Sequence, residues 1–64
     1  FDAHELDPLA DLRLREDDYA WVTSVLKDLA ADHANGRIIS TLEGGYHLSA
    51  LASSVEAHVS ALLA

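Results

Sequence analysis

Between two stretches of helical periodicity lies a short run of β-branched character, "RIISTL", Arg37 to Leu42. The adjacent Ile38 and Ile39 predict a strand there rather than a turn of buried helix. Upstream, Val22, Val25, Leu26, Leu29 and Ala30 recur at helical spacing, with Tyr19 and Trp21 adding aromatic surface. They predict a helix from about Glu16 to His33, with Glu16, Asp17 and Asp18 at its positive end and Asn35-Gly36 as a left-handed stop. Downstream, Leu48, Leu51, Ala52, Val55, Val59, Leu62 and Leu63 form a stripe that predicts a second amphipathic helix running to the C-terminus. Residues 1–3 read as the end of a strand, and "HELDPLADLRLR" as a loop in which Asp7-Pro8 favours a turn. The order strand end, helix, strand, helix is one βαβ crossover plus a helix, the unit of a parallel α/β sheet.

With 64 residues the chain is one domain or part of one, without an internal boundary, and is expected to be largely helical when isolated. Half of its residues are hydrophobic and it has no cysteine, so nothing covalent compensates for its size. Apolar surface is therefore expected to need a cover, either a second copy in a homo-oligomer or a missing remainder. Phe1 in place of methionine points the same way, to processing or truncation. The net charge of −7 is concentrated before Tyr19, where seven acidic residues face only Arg13 and Arg15. That balance disfavours nucleic acid and anionic membrane as direct ligands, and neither is expected as a partner, since both need a basic footprint. No signal peptide or membrane span is visible, and the absence of cysteine suits the cytoplasm.

Ligands of open parallel sheets gather at the carboxyl ends of the strands. Asp2 and His4 follow the first predicted strand; Gly44, Gly45 and Tyr46 follow the second, so parallel strands would bring both groups to one rim. Asp2 and His4, two residues apart on a strand, share a face and form a D-x-H pair able to reach one metal, or else are surface groups beside a turn. Two readings also stand for Tyr46: a phenol donating to a developing oxyanion, or an aromatic packing at a strand–helix junction. Glu43 reads as a strand-end surface group, and His33, His47 and His58 as surface or capping residues. Ser40 and Thr41 have no acid or base partner visible in sequence, and "GGY" lacks the phosphate-loop patterns.

Taken in order, "FDAHELDPLADLRL", "DDYAWVTSVL" and "LEGGYHLSALASSVEAHV" resemble the C-terminal portion of the histone deacetylase superfamily, nearest to its bacterial class II-like and acetylpolyamine amidohydrolase branch. The likeness covers nearly the whole chain and rests on three separated motifs: F-D-A-H, D-P-L and E-G-G-Y. It implies an arginase-like α/β fold and a zinc-dependent hydrolase of N-acetyl amides such as acetyl-lysine or an acetylated polyamine. On the matching positions it implies that Asp2 is a zinc ligand and that Tyr46 polarises the acetamide carbonyl. Gly44 and Gly45 would line the acyl channel. His4 matches no ligand of that pattern and leaves the metal set.

The resemblance also implies that an Asp-x-His motif and a histidine pair belong upstream of Phe1. Alone, the chain is then expected to be inactive and to bind no zinc tightly. The alternative is a small acidic helical oligomerisation or interaction module without catalysis. His47 and Arg15 stand where the family commonly has helix-capping residues, which predicts weakened helix starts.

Overall fold

The computed structural model describes residues 1–9 and 12–64; Ala10 and Asp11 of the predicted loop lie outside the described residues. Two helices carry the fold, α1 from Glu16 to His33 and α2 from Leu48 to Leu63. Both spans agree with the periodicity. At the start of α1 the Asp18 carboxylate accepts the Arg15 N–H at 2.8 Å, a bond that arginine has no acceptor to reciprocate. The helix ends where Asn35 (φ 54°) and Gly36 (φ 77°) turn left-handed, and the N–H groups of Ala34 and Gly36 both reach the Ala30 carbonyl at 2.8 Å. At α2 the weak start expected at His47 is corrected, because its ring Nδ1 accepts the Ala50 N–H at 3.1 Å and caps the helix.

The two helices run in the same direction. Thr23 of α1 meets His58 of α2, and four residues further along, Lys27 Nζ donates to the Ala61 and Ala64 carbonyls at 2.9 and 2.7 Å. Parallel helices require the connecting chain to travel back over the length of α1, roughly 27 Å at 1.5 Å per residue. The segment between Arg37 and Tyr46 makes that return.

It does so without becoming a strand, which corrects the predicted order: among the described residues there is no named strand, and residues 1–3 form a turn. A strand is held by its neighbours' ladder, and these residues contain no sheet for "RIISTL" to join. What remains of strand pairing is the bond from the Phe1 nitrogen to the Gly44 carbonyl at 3.3 Å, and a parallel bridge between His4 and Leu14.

The residues the helices bury are small. Thr23, Ala30, Ala50 and Ser54 are buried, whereas Val22, Val25, Leu26 and Leu29 of the apolar stripe remain exposed. Ile39 on the return segment is 95% exposed. Among the described residues no helix is long and apolar enough to cross a membrane.

The first loop is pinned to α1 through His4, which is 2% exposed. Its Nδ1 accepts the Leu6 N–H at 3.0 Å, which leaves the proton on Nε2 to be donated to Glu16 Oε1 at 2.8 Å. The Glu16 carboxyl is held below its ordinary pKa first by a hydrogen bond from its own backbone N–H and then by the His4 side chain. A carboxyl with a depressed folded-state pKa adds stability above its unfolded pKa, and that stability is lost as pH falls through the folded value. Circular-dichroism melts from about pH 7 to about pH 3 are expected to show this loss below the ordinary carboxylate range. Glu16→Gln should flatten that part of the profile; an unchanged acid slope would count against the contact.

Candidate functional site

The return segment ends at the glycines, and there the structure brings Asp2 and the E-G-G-Y motif together. A methyl group placed on Gly44 would lie 2.7 Å from both Cγ and Oδ2 of Asp2, so the half-buried carboxylate rests against the bare Cα. Gly45 has φ +134°, and a methyl there would come within 2.7 Å of Leu51 Cδ1 on the first turn of α2. Each glycine has its own reason: Gly44 makes room for a side chain, and Gly45 also needs a backbone conformation that side-chain-bearing residues rarely adopt. Tyr46 follows with 55% of its surface exposed, and among the described residues its hydroxyl takes no hydrogen-bond partner.

Asp7 carries the contact that sequence reasoning missed. Its carboxylate is buried, accepting the Leu9 N–H on Oδ1 at 2.9 Å and the Tyr46 N–H on Oδ2 at 2.6 Å. The first bond is the local Asx turn that Asp-Pro announces. The second spans 39 positions, and no spacing rule points to it.

Tyr19 is a second addition to the site. Its hydroxyl donates to the Phe1 carbonyl at 3.1 Å, and its pKa is raised first by burial and then by the negative charges of Asp2 and Asp7. The phenol therefore stays neutral beside the carboxylates.

His4 has both ring nitrogens engaged within the protein. Among the described residues no three His, Asp or Glu side chains converge as a metal centre. Of the described residues, Asp2 can offer one carboxylate to a metal, and a tetrahedral site would need further ligands beside it.

Ser40, without a visible partner in sequence, lies 2.8 Å from His58 Nε2. Thr23 gives its only proton to the Tyr19 carbonyl at 2.7 Å, so its oxygen accepts from His58 Nδ1 at 2.8 Å and Ser40 donates to Nε2. This relay has a threonine where a triad has a carboxylate, so an imidazolium would lack its counter-charge. Its effect is to tie the return segment to both helices beside a cavity of about 290 Å³ lined by Phe1, Tyr19, Leu26, Leu42 and His58. Glu43 lines the same cavity as an exposed residue.

Gly45→Ala is expected to cost about 1–3 kcal/mol through its positive φ, with the Leu51 contact adding to it. Chemical denaturation measures this; a variant as stable as the parent would show that the turn relaxes freely.

Residues 1–62 match the family model described as Histone deacetylase domain. The chain is 47% identical over 62 residues to "Type-2 histone deacetylase 1" of Dictyostelium discoideum, a match covering 97% of this chain and 4% of that protein. It is 44% identical over 63 residues to "Histone deacetylase 14, chloroplastic" of Arabidopsis thaliana, covering 98% of this chain and 15% of the relative. To the "Histone deacetylase-like amidohydrolase" of Pseudomonas aeruginosa it is 44% identical over 46 residues, covering 72% of this chain and 12% of the relative. Slime mould, plant and bacterium all appear among these relatives, so the bacterial branch is not singled out. The chain spans only a small part of each relative. Its match over nearly all of its own length, with F-D-A-H, D-P-L and E-G-G-Y converging in space, establishes that it belongs to the histone deacetylase domain family.

Proposed function

We propose that this chain is the C-terminal piece of an amide-hydrolysing deacetylase site, acting on an N-acetyl amide such as acetyl-lysine or an acetylated polyamine. The observation that carries the reading is the Asp2 carboxylate resting against Gly44, two residues before an exposed Tyr46 whose hydroxyl has no partner among the described residues. When water adds to an amide carbonyl, negative charge grows on the carbonyl oxygen. A phenol fixed beside that oxygen donates a hydrogen bond that strengthens as the charge develops. Tyr46 is assigned that role, Gly44 and Gly45 the wall of the acyl channel, and Asp2 one oxygen ligand for a metal. Members of this family are generally zinc-dependent. When bound, zinc would supply Lewis-acid activation of the carbonyl.

In a complete deacetylase domain carrying these residues, Tyr46→Phe is expected to lower kcat on the order of 10²–10³-fold with little effect on folding. Retention of more than half the activity would reduce Tyr46 to a packing residue. The 64-residue chain alone is expected to give no turnover in the same assay.

The exposed Val22, Val25, Leu26 and Leu29 stripe and the unpaired segment around Ile39 favour a covering partner, proposed to be the rest of a deacetylase domain. Without it, a second copy is proposed to take that place in a homo-oligomer. Light scattering after size exclusion at micromolar concentration tests this, and a well-folded monomer whose melt is independent of concentration would refute it.

A further inference from the structure

The Asp7 carboxylate is an expensive group to place where it is. A buried carboxylate is tolerated only when its oxygens are satisfied, and charge-assisted bonds from backbone N–H groups are among the stronger ways of doing so. Asp7 uses Oδ1 locally, on the Leu9 N–H, and thereby fixes its own direction. Oδ2 reaches across the fold and accepts the Tyr46 N–H at 2.6 Å. The peptide between Gly45 and Tyr46 is thus held from two sides, by Leu51 packed against the Gly45 Cα and by Asp7 bonded to the Tyr46 nitrogen. With that peptide fixed, the Tyr46 Cα is fixed, and the ring has only its own two torsions left.

We propose that Asp7 is a positioning residue for the reaction, whose carboxylate clamps the Tyr46 backbone and so limits where the phenol hydroxyl can sit. Asp7 does not touch the substrate. Its effect on rate passes through Tyr46, and to that extent the proposal rests on the role assigned to Tyr46 above. A reacting group misplaced by about 1 Å can cost as much as two orders of magnitude, so partial release of the clamp should be visible in kcat.

Asp7→Asn keeps the shape but loses the charge and one acceptor, so the side chain can no longer serve both N–H groups as before. In a complete deacetylase domain this variant is expected to lower kcat by about tenfold while leaving KM within about twofold. The deciding comparison is Asp7→Asn in a Tyr46→Phe background, where the loss should vanish because there is no hydroxyl left to position. Equal losses in both backgrounds, or a KM that rises as far as kcat falls, would overturn the proposal while leaving the role of Tyr46 intact. If Tyr46→Phe itself leaves kcat unchanged, the catalytic reading of Tyr46 fails and the positioning role falls with it. A measurement on the unmutated domain guards against a variant that does not fold: the Tyr46 amide, although on an exposed residue, should be protected from hydrogen exchange by at least about tenfold. An unprotected amide would also overturn the clamp.

Discussion

The polarity of the helix pair constrains everything else in this structure. Two helices joined by a short loop would run antiparallel, and their ends would alternate. Here Thr23 faces His58 and Lys27 faces the end of α2, so the helices are parallel and the chain between them must return along their length. That return carries Gly44, Gly45 and Tyr46 back to the end where Phe1 and Asp2 begin. The candidate site is therefore a consequence of the crossover, and it survives although no ladder forms around it.

Local hydrogen bonds take over some of the work a sheet would do. Ser40, His58 and Thr23 fasten the middle of the return segment to both helices, and the Phe1 nitrogen on the Gly44 carbonyl fastens its end. The residues buried on the two helices are small: Thr23, Ala30, Ala50 and Ser54. The large aliphatic residues Val22, Val25, Leu26 and Leu29 of α1 are exposed. That exposure leaves an apolar surface on α1 for other structure to cover.

The helices were legible because a 3.6-residue period, an acidic first turn and an Asn-Gly stop are local signals, and all three lie within a few residues of the ends they mark. The same holds for the Asx turn at Asp7. "RIISTL" carried a clear β signal that did not become a strand, because propensity describes what a segment does beside a partner and these residues supply none. Periodicity identified an apolar face on α1 but could not say what would cover it, and Val22, Val25, Leu26 and Leu29 remain exposed. Asp2 and the glycines were placed at one rim by strand polarity alone, a rule of topology. The bonds from Asp7 to Tyr46, from His4 to Glu16 and from Ser40 to His58 join residues at separations that no periodic rule covers.

Parallel helices also add their macrodipoles instead of cancelling them. Each N-terminus carries the equivalent of roughly half a positive charge. The start of α1 is largely offset by Glu16, Asp17 and Asp18, but the first turn of α2 contains no acidic residue and is capped by an imidazole nitrogen. The partial positive charge at the start of α2 is thus left uncompensated by its own side chains, two residues from Tyr46. In a chain with a net charge of −7, the backbone supplies at this rim a field opposite in sign to the one its side chains make.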